Sequence, residues 1–206
     1  MLGRASLEGL SGYIRPYLNG KDIAASSRQV MVIDCHQLSE EELRKRYPAV
    51  YQWLLERVRP QRDARATHSK DSASYSQRWW QFGKTRPELR RALKGLRRFI
   101  ATPETARRRY FVFLDIEILP DNAIVAIALD DSFHLGILSS RIHSGHWRRV
   151  GARVSSRAPI QQDRCFDPSP SPTLRRSSAE RIRTLAETLE AHRNARRQVH
   201  PSPHAQ

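Results

Sequence analysis

The sequence has little cysteine and no long apolar run. Its two cysteines, Cys35 and Cys165, stand alone, without CxxC or Cys/His spacing. Isolated thiols of this kind are typical of buried side chains in a reducing compartment, so we expect neither a disulfide nor a zinc site. No apolar run reaches the roughly 18 residues that a membrane-spanning helix needs, and the N-terminal stretch lacks the apolar core of a signal peptide. We therefore predict a cytoplasmic protein with no membrane partner.

The motifs of DNA methyl transfer are also missing. Methylation of an exocyclic base amine uses a short Asn/Asp-Pro-Pro-aromatic turn to hold the amine and a glycine-rich turn to hold the methyl donor. The stretch DPSP, residues 167–170, has Ser169 at the second proline position and Pro170 at the aromatic position. We predict no catalytic residue and no cofactor-binding residue in this chain.

A metal-dependent nuclease site is incomplete. Asp115 and Glu117 lie on one face of a predicted strand, but no lysine follows them in that segment,. His143 and His146 have loose metal-ligand spacing without a third ligand nearby,. Turn and hydrogen-bonding roles are therefore preferred, and no metal site is predicted. An unrecognised small DNA-processing enzyme, such as a nuclease, stays open as an alternative.

Positive charge is abundant and unevenly distributed. The chain of 206 residues has 36 lysines and arginines, 21 acids and a formal net charge of +15. Residues 78–109 contain eleven basic residues and two acids, whereas residues 110–140 contain five acids and no lysine or arginine. Residues 141–206 contain thirteen arginines and five acids. Two basic regions of the chain therefore flank a mildly acidic centre. This distribution favours a polyanionic partner, and nucleic acid is a better candidate than a membrane.

The residue pattern predicts helices separated by turns. Ser39 and Glu42 form a capping-box pattern, and a second helix is expected from Pro48 until Pro60,. Residues 61–77 are polar and aperiodic and predict a loop. Pro87 is suited to the start of another helix, which has leucines on one side and cations around them,.

Strands and two further helices complete the predicted architecture. The apolar stretch 108–131 predicts two strands joined at Pro120, the first of them central in a sheet,. Asp130 or Asp131 can cap the next helix, in which Ile142 is expected to face the core with Leu135 and Leu138. A last amphipathic helix has Ile182, Leu185, Ala186 and Leu189 on one face,. We predict an α+β fold with a mixed sheet, flanking helices and a C-terminal helix.

Composition divides the chain into three regions. Residues 1–168 are predicted to form one domain, and residues 169–200 a proline-rich connector followed by the C-terminal helix. Residues 201–206 are predicted to be a disordered tail.

Seven separated motifs resemble one family. The chain resembles the target-recognition region of MmeI-like Type II restriction-modification methyltransferases and, more distantly, the C-terminal specificity domain of TaqI-like adenine methyltransferases. The motifs, in the family's order, are IRPYLNGKDI, RYPAVYQWLLERVRPQRD, RWWQFGKTRPEL, RRFIATPETARRRYFVFLD, LPDNAIVAIALDDSFHLGILSSRIHSGHW, CFDPSPSP and ERIRTLAETLEAHRNARRQVHP. The resemblance spans roughly residues 13 to 201.

The resemblance implies a domain that binds double-stranded DNA and selects its sequence. In the family, a separate catalytic domain flips out an adenine and methylates it with S-adenosylmethionine, so a methyltransferase domain or subunit is an implied partner. Charge and placement predict the DNA-contacting residues of this chain, which are Trp79, Trp80, Lys84, Arg86, Arg90, Arg91, Arg107, Arg108, Arg109, Arg141 and His143,. Of these, the tryptophan pair also has a plain core interpretation, because adjacent aromatic rings usually place at least one ring in the core.

The sequence departs from the family at two places. SPSP, residues 169–172, stands where the family has Phe-Pro-Phe-Pro, and RVGARVSSRAPIQQDR replaces a glycine-rich, tyrosine-containing stretch. Two interpretations follow. The chain is a recognition subunit that works with a separate catalytic partner, or it is a truncated, non-functional gene product.

Overall fold

The structure, a computed structural model, describes residues 10–24, 27–66, 70–106, 110–143 and 175–199. In chain order its elements are β1 (Ile14–Leu18), α1 (Gly20–Ala24), β2 (Met31–Ile33), α2 (Glu40–Arg46), α3 (Pro48–Arg57), α4 (Arg59–Arg65), α5 (Lys70–Gln77), α6 (Pro87–Leu93), β3 (Arg98–Pro103), β4 (Val112–Asp115), β5 (Leu119–Pro120), β6 (Ile124–Ile127), α7 (Ser132–Ser139) and α8 (Arg176–Val199). The chain divides into two compact units. Unit 1 comprises Met1–Arg15 and Met31–Glu88, and unit 2 comprises Pro16–Val30 and Leu89–Gln206.

Unit 1 is built mainly from helices. The side chain of Ser39 accepts a hydrogen bond from the backbone N–H of Glu42, while the Glu42 carboxylate accepts from the backbone N–H of Ser39, so the predicted capping box at the start of α2 is confirmed,. The core of this unit is formed by buried apolar side chains from α2 and α3, from the segment before α2, and from residues that directly follow α2 and α5. Its members are Leu10, Cys35, Leu38, Leu43, Tyr47, Val50, Leu54 and Trp79.

Two short helices replace the loop predicted for residues 61–77. Pro60 lies in the first turn of α4, where the missing N–H of proline breaks no helical hydrogen bond, so it continues the chain into a new helix,. The next helix, α5, is polar and lacks an apolar period of its own. The loop prediction was wrong because α4 and α5 pack against each other, and such packing overrides weak helix propensity.

Unit 2 contains an antiparallel sheet in the order β4-β3-β6. Phe99 of β3 is opposite Leu114 of β4, and Ala101 of β3 is opposite Ala126 of β6. Five consecutive β3 residues, from Phe99 to Pro103, are buried. The prediction that the first strand after residue 108 is central was therefore wrong, because β3 has neighbours on both sides and is covered on both faces,.

The C-terminal helix α8 packs against α7. Asp131 caps α7 by accepting a hydrogen bond from the backbone N–H of Phe133 at 2.8 Å, which confirms one of the two predicted caps,. Ala186 of α8 is buried, whereas Leu185 is 61% exposed. Ile142 is 77% exposed, so its predicted core position was wrong.

Gly136 allows the close approach of α7 and α8. A Cβ atom added at this position would lie 2.5 Å from Cγ2 of Ile182 and 3.4 Å from Cβ of Ala186. The Cγ2 atom belongs to a β-branched side chain with few rotamers in a helix, so it cannot easily move away.

We expect Gly136→Ala to lower the free energy of unfolding by about 1 kcal/mol. Overpacking costs about 1 to 3 kcal/mol, and the higher helix propensity of alanine returns up to about 1 kcal/mol. Urea unfolding of both proteins measures the difference. Gly12→Ala is the matched control, since nothing lies within 4 Å of a Cβ added at that position. Unchanged stability of the Gly136 variant would contradict the packing described.

The structure confirms the α+β class, with small sheets, flanking helices and a C-terminal helix. It also confirms that Cys35 is a buried thiol, and burial raises its pKa to about 11. Cys165 lies outside the described residues. None of the helices in the described ranges is long and apolar enough to cross a membrane.

Candidate nucleic-acid interface

The tryptophan pair of unit 1 makes internal contacts. Trp79 is only 3% exposed, and its ring meets the Tyr51 ring edge-on with centroids 5.5 Å apart. Trp80 is partly buried, and its Nε1 donates a hydrogen bond to the carbonyl oxygen of Leu38 at 2.9 Å. A base could stack on Trp79 only if the ring left the core. Contact of these two residues with DNA stays a prediction.

The loop after the tryptophans is held at several points. The backbone carbonyl oxygen of Gln81 accepts a hydrogen bond from Nη2 of Arg62 at 3.0 Å. Nε2 of the Gln81 side chain donates to the carbonyl oxygen of Leu38 at 3.2 Å. Gly83 lies flat against Tyr75, because a Cβ at that position would be 2.8 Å from Cζ of the ring. The residues that follow, Lys84 and Arg86, are therefore presented from an anchored loop.

Residues 84–97, which we call the basic segment, contain six lysines and arginines and one acid. Arg86 has a backbone φ of +50°, in the left-handed region, directly before Pro87. Such a conformation costs roughly 1 to 2 kcal/mol for a residue with a side chain. It joins the anchored loop to the first residue of α6.

Helix α6 presents its arginines away from the core. Leu93 is buried and Leu89 is partly buried in the hydrophobic cluster of unit 2. With 3.6 residues per turn, Arg91 lies on the opposite side of the helix from these leucines, and it is exposed,. Arg90 is partly exposed and lies between these two faces.

Three cations of the basic segment differ from Arg98 and Arg183 in their partners. Within the described ranges, the side chains of Lys84, Arg86 and Arg91 form no ion pair. Arg98 and Arg183, in contrast, are engaged by carboxylates. Charge alone could not distinguish these two groups in the sequence.

The remaining predicted residues are distributed as follows. Arg107, Arg108 and Arg109 lie outside the described residues. Arg141 is exposed, and His143 is 4% exposed, with its ring 5.6 Å from the Phe111 ring, centroid to centroid. The burial of His143 gives it a packing role within unit 2, and its contact with DNA stays a prediction.

Carboxylates fasten α8 to the rest of unit 2. Arg183 donates from Nε to Oδ1 of Asp131 at 2.9 Å and from Nη2 to Oδ2 at 2.7 Å. These hydrogen bonds are the main reason that the pKa of Asp131 falls from 3.8 to about 2. Arg98 binds Glu187 with two nitrogens and lowers the pKa of that carboxyl below its ordinary value.

Asp22 and Arg28 form a further pair that the sequence did not reveal. The Asp22 side chain is 1% exposed, whereas that of Arg28 is 53% exposed. Hydrogen bonds from the Arg28 side chain, with smaller contributions from the backbone N–H groups of Asn19 and Arg28, lower the pKa of Asp22 from 3.8 to about 2. Asp22 lies in α1, which ends at Ala24, and Arg28 lies six positions after Asp22, so no helical period pairs them.

Asp22 should make stability depend on pH in the acid range. Because its pKa is lower in the folded chain, its contribution is present above about pH 4 and is lost as pH falls toward 2,. We expect Asp22→Asn to be less stable than the wild type by about 2 kcal/mol at pH 5. Urea unfolding at several pH values should show this gap closing by pH 2. A gap that stays constant with pH would contradict the assignment.

The described part of the chain contains no set of side chains suited to bind a metal ion. No group of three or more histidine, cysteine, aspartate or glutamate side chains there could hold an ion. Asp115 instead accepts a hydrogen bond from the backbone N–H of Glu117 at 2.8 Å, which is a turn role,.

Comparisons with known proteins give one family. Residues 4–173 match the family model described as "MmeI, target recognition domain". Among solved structures, the chain is similar to the Type IIL restriction-modification enzyme MmeI, determined in complex with DNA, with a TM-score of 0.72 and 20% sequence identity. The match covers 91% of this chain and 24% of that one, so this chain spans about a quarter of the solved protein's length. No curated protein matches the chain.

Proposed function

Because this chain belongs to the family of MmeI target recognition domains, we propose that it binds double-stranded DNA and recognises a specific sequence. The proposal is supported by the similar solved structure, in which MmeI is in complex with DNA. It is also consistent with the formal net charge of +15.

The observation that carries the proposal is the state of the cations in the basic segment. An arginine that already binds a carboxylate must give up that partner to bind a phosphate, which reduces the gain. Lys84, Arg86 and Arg91 have no carboxylate to give up within the described part of the chain. Arg86 also follows an anchored loop, so little loop entropy is lost when a ligand fixes its position,.

Contacts from the basic segment supply affinity and position. Each cation that neutralises a phosphate releases a counterion, so binding weakens as salt rises. Phosphate contacts carry no sequence information directly, and discrimination between bases needs further side chains that reach a groove.

The chain's place in a larger reaction is part of the same proposal. We propose that it directs a restriction-modification methyltransferase to its site, and that a separate catalytic domain methylates adenine with S-adenosylmethionine. The cations of the basic segment hold and orient DNA, and they take no part in the methyl transfer itself.

Selection from a randomised duplex library tests sequence recognition. The purified chain is mixed with the library, bound duplexes are recovered at moderate salt, and their sequences are determined. We expect one short motif to be enriched over several rounds. Recovery of bound duplexes without enrichment of any motif would reduce the proposal to non-specific binding.

A further inference from the structure

In the described part of unit 2, Arg28, Arg98 and Arg183 bind carboxylates and differ in which guanidinium nitrogens they use. Arg98 uses all three, since Nη1 and Nη2 bind Glu187 and Nε donates to the carbonyl oxygen of Asp130 at 3.1 Å. Its guanidinium also lies over the Phe113 ring, 3.7 Å from the centroid. The parallel donor pair formed by Nη1 and Nη2 of Arg98 is therefore occupied by Glu187.

Arg183 is used in the same complete way. Its Nε and Nη2 bind Asp131, and its Nη1 donates to Oε2 of Glu180 at 3.2 Å. Nη1 binds a carboxylate in both residues, so Arg98 and Arg183 act as structural clamps.

Arg28 is held by one side only. Its Nε donates to Oδ1 of Asp22 at 2.8 Å and its Nη2 donates to Oδ2 at 2.9 Å. Among the described residues, no acceptor binds Nη1. The end of the guanidinium, formed by Nη1 and the outer N–H of Nη2, therefore keeps two parallel donors for an external acceptor pair.

The backbone fixes this presentation. Oδ1 of Asp22 also accepts from the backbone N–H of Arg28 at 3.1 Å, and Oδ2 accepts from the backbone N–H of Asn19 at 2.8 Å. The next residue, Gln29, has a φ of +53°, a left-handed conformation that costs energy outside glycine,. Strain of this kind persists where the surroundings hold it, and here it accompanies a fixed, outward-facing guanidinium.

The local charge favours a neutral ligand over a phosphate. The hydrogen bonds and charge of Asp22 raise the pKa of Arg28, and Tyr17 and Asp121 add smaller effects in the same direction. With two carboxylates nearby, the positive field available to a phosphate is weak. The hydrogen-bonding geometry is unaffected, and it matches the O6 and N7 acceptors on the major-groove edge of guanine.

We infer that Arg28, oriented by Asp22, is a sequence-determining residue that reads a guanine in the bound duplex. The inference rests on the proposed function, since it needs a duplex in the first place. Arg28 would then contribute to the choice of base, whereas the basic segment contributes to affinity. Asp22 is then a positioning residue that acts through Arg28.

Library selection with variants of the full chain tests this role. Arg28→Lys keeps the charge and a donor for Asp22 but loses the parallel donor pair. At one guanine of the wild-type motif we expect the preference over other bases to fall about 10-fold, while the rest of the motif is retained. Arg181→Lys is the matched control, because it makes the same change at an exposed arginine of α8 and should keep the whole motif.

Asp22→Asn gives an independent readout in case Arg28→Lys folds poorly, and thermal unfolding monitors both variants. Loss of one carboxylate should strengthen overall binding slightly and weaken the preference at the same guanine. If the wild type yields a motif and both folded variants keep it unchanged, the inference is wrong and the proposed function stands. If the wild type binds no duplex, both fail.

Discussion

Reversing three charges of the basic segment should lower duplex affinity by about two orders of magnitude or more. The variant replaces Arg86, Arg90 and Arg91 with glutamate. Each lost phosphate contact removes about 0.9 from the slope of log K against log salt, so the slope should flatten by about 3. Glutamates near the same phosphates add repulsion, which is strongest at low salt.

A matched variant separates position from net charge. Arg175, Arg176 and Arg181 are exposed residues at the start of α8, and their reversal changes the net charge by the same amount. Acids near the start of a helix stabilise it, so this control should fold well. We expect it to keep most of the affinity. Equal losses in the two variants would indicate that only the overall charge matters.

Folding of the test variant needs its own check. Glutamates in the last turn of α6 oppose the helix dipole and cost roughly 0.3 to 1 kcal/mol each. Thermal unfolding of both variants therefore accompanies the binding titrations, and affinities are compared only well below the unfolding transition.

Asp131→Ala should have the largest effect on stability among the changes considered, about 2 to 3 kcal/mol. The substitution removes the helix cap of α7, which is worth about 1 kcal/mol. It also removes the contact of Asp131 with two nitrogens of Arg183, and both of these side chains are about one-third exposed. The exposure reduces the second contribution to about 1 to 2 kcal/mol. Urea unfolding measures the sum.

Hydrogen exchange shows where that stability is lost. Because Arg183 lies on α8, we expect the amides of α8 to lose protection in the Asp131 variant more than those of β3. Asp131→Asn keeps an oxygen for the cap and should lose about half as much. If alanine and asparagine variants were equally stable, the ion pair and not the cap would carry the effect.

Local signals in the sequence predicted local structure well. The capping box of Ser39, the cap at Asp131 and the helix start at Pro87 depend on residues within four positions of one another,. The predicted α+β class is also confirmed. These features needed no knowledge of which segments meet in space.

Features that depend on distant partners could not be predicted. The central position of β3 is set by β4 and β6, and the helical state of α5 by its packing on α4. Ile142 continues the apolar period of α7, but α7 ends at Ser139 and Ile142 is exposed. The apolar period alone does not show where a helix ends. The apolar period thus predicts the apolar face of a helix, and the elements packed against the helix determine which residues of that face are buried.

The candidate site shows the same limit. Counting charges located the basic segment, but the sequence could not tell that carboxylates bind Arg98 and Arg183 while Arg91 has none among the residues that the structure describes. It also gave no sign of Asp22 beneath Arg28. Trp79 and His143 were chosen for their chemistry, and the structure places both in buried positions.

The most direct test of the central claim is the salt dependence of duplex binding by the unmodified chain. A fluorescent duplex is titrated at salt concentrations from about 50 to about 200 mM, and log K is plotted against log salt. If at least three cations of the basic segment bind phosphates, the slope is about −3 or steeper. A slope near zero, or no binding at the lowest salt, would contradict the account.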